Sequence, residues 1–176
     1  MQRVRPERRT AGGEKATARK GESALRPPNG VPQDEICNCT VLRKAARRVS
    51  GLYDRVLAPS GLRITQYAIL AELGRSGAMT ITDLARAMVM ERNGLGHNLR
   101  PLEREGLIRM QVGRDRRSRI ILMTEAGQAR LDEARPFWKQ GQERFNTVFG
   151  NDRARALKLL LLAATDAEYG DLTVGC

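Results

Sequence analysis

Apolar residues recur at three- and four-residue steps from Cys37 onward, which predicts an amphipathic helix that ends near Pro59-Ser60-Gly61. The positions that form this apolar stripe are Val41, Leu42, Ala45, Val49, Leu52, Tyr53 and Val56. A second helix is predicted over Thr65–Leu73, closed by Gly74 and Gly77. The first part of the pattern therefore predicts two consecutive helices.

The pattern then shortens. Thr80-Ile81-Thr82-Asp83 resembles a capping box and predicts a short helix that runs through Met88. After Gly106, residues 107–111 and 118–123 are apolar and β-branched enough to predict two short strands. The charged segment 113–117 between them is expected to form the tip of a hairpin.

Two more helices are predicted after the hairpin. Thr124-Glu125 begins a long helix whose apolar stripe consists of Leu131, Ala134, Trp138, Gly141, Phe145 and Val148. Asn151-Asp152 is expected to cap a final helix, in which residues 157–164 are apolar on almost every side. Such a helix must be covered on most sides, so an isologous dimer is expected.

The order of elements predicts a mainly α fold with a two-stranded β wing, a winged helix-turn-helix with a helical dimerisation region. The second helix of a helix-turn-helix lies in the major groove of DNA. Residues 91–104 are the expected recognition helix, because Leu95, Leu99 and Leu102 fall on one face. Helix propensity opposes this assignment, since two glycines cost about 1 kcal/mol each and Pro101 should kink the helix.

Residues 1–34 have a different composition, rich in Arg, Lys, Gly and Pro and almost without large apolar residues. Such a segment cannot bury enough surface to offset the entropy of ordering, so a disordered basic tail is expected. Residues 35–176 are expected to form one domain, in which 61–124 is the winged helix-turn-helix and 35–60 and 125–172 are dimerisation helices.

Charge points to a polyanionic partner, because 31 Lys and Arg against 20 Asp and Glu give a net charge of +11. No apolar run approaches the roughly 20 residues of a membrane span, and the basic N-terminal residues lead into no signal-peptide core. A cytoplasmic protein with no membrane partner is therefore expected.

Catalytic and metal chemistry find little support in the sequence. The chain has one histidine and three cysteines (Cys37, Cys39 and Cys176), which provide neither a four-ligand zinc site nor an even disulfide framework. Paired carboxylates, a phosphate-binding glycine loop and a catalytic triad are all missing from the pattern. We therefore expect a protein that is not an enzyme and needs no cofactor.

The stretch from Thr80 to Thr124 resembles the DNA-binding core of the MarR family of bacterial regulators. The wing pattern of that family is Asp, any residue, Arg, several residues, then Leu-Thr, and this chain has Asp115-Arg116-Arg117 followed by Met123-Thr124. The run 98–108, NLRPLEREGLI, is also similar to a common family version. The resemblance extends over about residues 36–170 and implies a dimeric DNA-binding regulator.

The recognition helix departs from that family. Where similar proteins often have Asp-Arg-Thr-Thr-Leu-Thr-Arg, this chain has Glu91-Arg92-Asn93-Gly94-Leu95-Gly96-His97. Three hydroxyl residues and one cation are thus replaced. The resemblance predicts DNA binding, but the base preferences of the family cannot be transferred.

The expected DNA contacts fall into two groups. The first comprises the polar residues of the recognition helix that would face base edges or phosphates, namely Arg92, Asn93, His97 and Arg100. The second is the hairpin tip, where Arg117 would enter a minor groove and Asp115 would orient it, flanked by Arg114 and Arg116. Two copies of each group in a dimer would match a pseudo-palindromic operator in double-stranded DNA.

Two modes of regulation remain open. The commoner family mechanism is release of a repressor by a small aromatic or lipophilic anion. The alternative is a peroxide sensor, because Cys39-Thr40-Val41-Leu42 and Tyr53 resemble the reactive stretch of that branch, although Ile64 stands where a second tyrosine is expected and the resolving cysteine is missing. A non-specific architectural DNA-binding protein is the alternative from another class.

Overall fold

The computed structural model describes residues 32, 35–113 and 118–169. The chain divides into two compact units, Met1–Lys44 and Ala45–Cys176. In the first unit helix α1 (Asn38–Leu57) begins, and the Val41 amide donates to the Cys37 carbonyl at 3.1 Å. The packing described below lies within the second unit.

The predicted order of helices and strands is confirmed. After α1 and a 3₁₀ turn at Ala58–Ser60, the elements are α2 (Ile64–Ser76), β1 (Met79–Thr80), α3 (Ile81–Ala87), α4 (Arg92–Arg104), β2 (Ile108–Val112), β3 (Arg119–Met123), α5 (Glu125–Phe149) and α6 (Asn151–Asp166). The fold is mainly helical with a small antiparallel sheet, as the sequence predicted.

Two predicted helix boundaries differ from the structure. Of the two glycines expected to close α2, Gly77 is its C-cap, with a φ of 77°, whereas Gly74 lies inside the helix, which continues to Ser76. Gly74 instead packs against α5, since a Cβ there would lie 3.3 Å from Leu131 Cδ2. The N-cap of α6 is Gly150 rather than Asn151, and its carbonyl accepts from the Ala154 amide at 2.8 Å.

The wing is built on a three-stranded sheet in the order β1-β3-β2. The predicted hairpin pairs Ile108 with Met123 and Val112 with Arg119. The third strand, Met79–Thr80, pairs with Ile121 and Ile120 and extends the predicted two-stranded wing. A two-residue strand has no period-2 signal of its own, so only the long-range pairing reveals it.

The core is aliphatic and brings the helix-turn-helix and the sheet together. Its fully buried side chains come from the end of α1, from α2, α3 and α4, and from the sheet; they are Leu57, Ile69, Leu70, Leu73, Leu84, Leu95, Leu99, Leu102, Ile108 and Ile121. Leu95, Leu99 and Leu102 are 0–1% exposed, so the predicted apolar face of α4 is buried as expected. This burial holds α4 as a helix despite its glycines and Pro101.

Side-chain caps fix the junctions between elements. Asp54 Oδ1 on α1 accepts from the Ile64 amide at 2.8 Å and so caps the start of α2. Thr124 caps α5, since its Oγ1 accepts from the Gly127 amide at 3.0 Å and donates to the Gly106 carbonyl at 2.7 Å. The second contact joins the start of α5 to the turn that precedes the wing.

The apolar stripe of α5 is confirmed only in part. Leu131, Ala134 and Gly141 are buried and Trp138 is partly buried, whereas Val148 is 80% exposed. Four consecutive leucines of α6, residues 159–162, are also exposed, Leu159 at 61% and Leu160 at 69%. The stripe thus packs against the chain's own core near its start and leaves apolar surface uncovered near its end.

Candidate DNA-binding interface

Helix α3, which precedes the turn into α4, is capped at both ends. Thr80 Oγ1 accepts from the Asp83 amide at 3.1 Å and begins α3. At the other end of α3, the Met90 amide donates to the Ala85 carbonyl at 2.9 Å and the Val89 amide to the Arg86 carbonyl at 3.1 Å. These two bonds form a Schellman motif, which places Val89 in the left-handed region with φ 48°.

Helix α4 has one buried and one exposed side. Leu95, Leu99 and Leu102 face the core, and the predicted contact residues are all exposed: Arg92, Asn93, His97 and Arg100. A helix turns 100° per residue, so Asn93, His97 and Arg100 lie within one narrow sector opposite the leucines. The structure therefore brings Asn93, His97 and Arg100 together on one surface, whereas Arg92 lies about 100° around the helix from Asn93.

Arg92 makes a contact that the sequence analysis missed. Its Nη2 donates to Thr82 Oγ1 on α3 at 2.8 Å, so the first turn of α4 is tied to the first turn of α3. Among the described residues, neither Arg92 nor Arg100 has a carboxylate within ion-pair distance. Their charges are thus available to an anionic partner. Thr82 was detectable only as a hydroxyl in the first turn of the preceding helix.

The wing contributes further cations. Gly113 closes the described part of the hairpin, because its amide donates to the Ser118 carbonyl at 3.0 Å. Arg109 on β2 and Arg119 on β3 are exposed, and neither was among the predicted contacts. The predicted tip residues lie outside the described residues; they are Arg114, Asp115, Arg116 and Arg117.

A cavity of about 530 Å³ lies between α2 and α5. Two aromatic rings form part of its wall: Tyr67 and Trp138 stack with their centroids 5.8 Å apart and their planes at 16°. Burial raises the pKa of Tyr67, against a smaller opposing effect of Arg135, so this hydroxyl stays neutral at physiological pH. The side of the cavity formed by these two rings is therefore aromatic and uncharged.

The same cavity has a surplus of positive charge. Arg75 forms an ion pair with Glu72, and Arg135 pairs with Asp132 at 3.0 Å. Lys139 also lines the cavity and, within the described part of the chain, has no ion-pair partner. An aromatic wall beside an unpaired ammonium group is suited to a small aromatic anion.

The cysteine region is exposed. Both Cys37 and Cys39 are exposed free thiols. A hydrogen bond with the Thr40 side chain, helped by the backbone at Thr40, lowers the pKa of Cys37. Tyr53, which the family resemblance assigned to a sensing sulfur, is buried and donates its hydroxyl proton to Gln142 Oε1 at 2.7 Å.

Over the described ranges, no three side chains of His, Cys, Asp and Glu come together as metal ligands would. None of the described helices combines the length and apolarity that crossing a membrane requires.

Comparisons with known proteins point to one family. The sequence profile described as MarR family matches residues 62–118. The transcriptional activatory protein BadR of Rhodopseudomonas palustris is 35% identical over 77 residues, which are 42% of this chain and 44% of BadR. The chain thus aligns with less than half the length of this curated relative.

Solved structures match over a longer range. The M. tuberculosis transcriptional regulator MosR in complex with DNA is 36% identical, with a TM-score of 0.64 over 73% of this chain and 96% of MosR. The transcriptional repressor CouR bound to a 23-mer DNA duplex is 26% identical, with a TM-score of 0.65 over 73% of this chain and 92% of CouR. CouR from Rhodococcus jostii RHA1 bound to p-coumaroyl-CoA shares the fold. It is 19% identical, with a TM-score of 0.63 over 74% of this chain and 93% of CouR.

Proposed function

The chain belongs to the MarR family, and we propose that it is a sequence-specific DNA-binding transcriptional regulator, a dimeric repressor that a small ligand releases. The observation that carries this proposal is the exposed surface of α4, where Arg92 and Arg100 have no carboxylate partner among the described residues and flank Asn93 and His97. Asn can pair bidentately with adenine and Arg with guanine in the major groove. MosR and CouR, which share the fold, were solved with DNA bound.

The wing is proposed as the second DNA contact. Arg117 would enter a minor groove and Asp115 would orient it, while the exposed Arg109 and Arg119 on the strands would meet phosphates. Phosphate contacts position the protein and carry no sequence information directly, so specificity is assigned to α4.

Arg100→Ala tests this assignment against Arg63→Ala, which removes the same charge from an exposed position at the N-cap of α2. Loss of one good base contact should weaken binding to the preferred duplex by about tenfold or more, whereas the control should change it little. Fluorescence anisotropy with an excess of unrelated competitor DNA measures both. Equal effects of the two substitutions would favour the architectural alternative, in which only net charge matters.

Dimerisation is proposed to cover α6 and the end of α5. Leu159, Leu160 and Leu162 are 54–69% exposed and Val148 is 80% exposed, a surface more apolar than a monomer ordinarily leaves in water. In an isologous interface the same patch of each copy is buried against the other copy. Such a dimer would place two copies of α4 on a pseudo-palindromic operator.

The effector is proposed to be a small aromatic anion in the cavity between α2 and α5. Its ring would stack against the wall formed by Tyr67 and Trp138, and its carboxylate would pair with Lys139. A ligand bound there would bias the spacing of the two recognition helices, because α2 contributes to the core beneath α4 and α5 continues towards the proposed dimer surface.

Trp138 is the only tryptophan of the chain and lines the cavity, so its fluorescence reports binding directly. We expect benzoate and 2-naphthoate to change this fluorescence saturably and to release DNA, with benzamide much weaker. Lys139→Gln should weaken the binding of benzoate and 2-naphthoate. Lys44→Gln, which removes a lysine that does not line the cavity, should leave their binding unchanged. A response that is the same for benzoate and benzamide would contradict an anion site.

Release by oxidation is a second candidate, favoured by the lowered pKa of the exposed Cys37. The cysteine with the lowered pKa is thus Cys37, whereas the family resemblance pointed to Cys39. Peroxide should release DNA from the wild type. If Cys37 or Cys39 is the sensor, replacing that cysteine with serine should prevent the release. Release that is unchanged in both variants would eliminate this candidate and leave the ligand mechanism.

A further inference from the structure

Gly94 and Gly96 stand in the first two turns of α4, where their backbone does not require glycine. The positive-φ residues among the described positions are Val89, Gly61, Gly77, Gly106 and Gly150, and neither α4 glycine is among them. Glycine is the least favourable residue in a helix interior except proline. The chain therefore retains two unfavourable residues in the helix that is proposed to contact DNA.

The packing of the protein does not require these glycines either. Among the described residues, a Cβ on Gly96 would meet nothing within 4 Å, and one on Gly94 would meet only Met90 Cε at 3.9 Å. Gly141 in α5, by contrast, is required by packing, since a Cβ there would lie 2.9 Å from the Tyr53 ring. The described residues therefore give no packing reason for the two α4 glycines.

Their position on the helix indicates what they leave room for. At 100° per residue, Gly96 lies on one flank of the exposed sector of Asn93 and His97, and Gly94 lies on the other flank. A helix with its side chains is about 10–12 Å across and the major groove is about 12 Å wide. Removing the side chains from both flanks narrows the helix in the N-terminal part, which is the part that contacts base edges.

The exposed sector itself needs a close approach. Asn93 and His97 have shorter side chains than the arginines that commonly read guanine, so their polar atoms reach less far from the helix axis. Base-edge hydrogen bonds require heavy-atom distances of about 3 Å. The helix backbone must therefore come closer to the floor of the groove than a helix with long contact residues.

We propose that Gly94 and Gly96 are specificity-determining residues, which let α4 enter the major groove deeply enough for Asn93 and His97 to reach base edges. This inference rests on the proposed function and names the feature that sets its sequence preference. Alanine at either position would fit the free protein but would collide with the groove walls or hold the short side chains away from the bases.

The test uses the full chain and a duplex that the wild type enriches from a randomised pool, with an unrelated duplex beside it. Gly94→Ala and Gly96→Ala should raise the midpoint of thermal unfolding by about 1–4 °C, because alanine is the better helix former. The same variants should bind the enriched duplex about tenfold more weakly and the unrelated duplex as the wild type does. Gly51→Ala in α1, where a Cβ makes an ordinary 3.7 Å contact, is the control for the substitution itself and should not change the preference.

The outcomes separate the inference from the function on which it rests. A wild type that discriminates between the duplexes, with alanine variants that discriminate equally well, would overturn the inference alone. Alanine variants that unfold at lower temperature than the wild type would overturn it too, because the glycines would then serve the fold. A wild type that enriches no duplex would overturn the proposed function and the inference together.

Discussion

Gly141→Ala should destabilise the protein because it forces α1 and α5 apart. A Cβ at this position would lie 2.9 Å from Tyr53 Cδ1 and 3.0 Å from Val56 Cγ2, whereas carbon atoms in contact are ordinarily about 3.5–4.0 Å apart. Either the helices separate by roughly the difference, or the Tyr53 ring turns and strains its 2.7 Å hydrogen bond to Gln142. The substitution therefore disturbs the packing of this helix pair and, where the Tyr53 ring turns, its polar contact as well.

The magnitude follows from three contributions. Overpacking of a close contact costs about 1–3 kcal/mol, and loss of the tyrosine hydrogen bond costs about 0.5–1.5 kcal/mol. The better helix propensity of alanine offsets about 1 kcal/mol. The net loss in the free energy of unfolding is about 0.5–3.5 kcal/mol, which lowers the thermal midpoint of a chain of this size by about 1–14 °C.

Thermal unfolding followed by circular dichroism measures this loss, and Gly96→Ala is the matched control. The same substitution at Gly96 meets no atom of the described residues within 4 Å and should stabilise the protein by about 0.5–1 kcal/mol. Adding Val56→Ala to Gly141→Ala removes one of the two close contacts, so the double variant should lose less than the sum of the single losses. A Gly141→Ala protein at least as stable as the wild type would refute the reasoning.

Three further predictions concern the cap, the dimer and the thiol. Thr124→Ala should lower the free energy of unfolding in urea by about 1–2 kcal/mol because both contacts of Oγ1 are lost, with Thr124→Ser close to the wild type; equal stability of the alanine variant would contradict the cap. Leu160→Glu should leave the fold intact, since this side chain is 69% exposed, but should yield monomers in size-exclusion chromatography with light scattering; persistent dimers would exclude Leu160 from the interface. In a Cys39→Ser/Cys176→Ser background, alkylation of Cys37 should stay fast to lower pH than for an ordinary cysteine, because a lowered pKa keeps the thiolate at lower pH. Thr40→Val should move that profile back to higher pH, and an unmoved profile would show that Thr40 does not set the pKa.

Local patterns predicted most of the fold because most of its elements carry their own periodicity. Helix α4 is the informative case, since its leucine spacing and its propensity disagreed. Spacing prevailed because Leu95, Leu99 and Leu102 are almost completely buried, and burial of three leucines outweighs two glycines and one proline.

The features that the sequence did not reveal depend on distant partners. Gly74 read as a helix end because its packing against Leu131 brings together residues far apart in the chain. The strand Met79–Thr80 exists through its pairing with β3. Val89 occupies a left-handed position that favours glycine, and nothing in its local sequence indicates this.

The candidate site likewise has features that the sequence predicted and features that it did not. The exposed residues of α4 followed from helical periodicity, so Asn93, His97 and Arg100 were predictable. The contact of Arg92 with Thr82 and the cavity between α2 and α5 were not, because each joins two separate helices. Recognition helices can therefore be read from the sequence more readily than effector cavities.

The central claim, that α4 reads DNA sequence, is tested most directly by one competition measurement. A labelled duplex from immediately upstream of the protein's own gene is titrated by fluorescence anisotropy at near-physiological salt, with an excess of unrelated duplex. The account predicts nanomolar binding that the competitor does not displace, since specific binding exceeds non-specific binding by about a thousandfold or more. If neither this duplex nor one enriched from a randomised pool withstands the competitor, the claim of sequence-specific binding is contradicted.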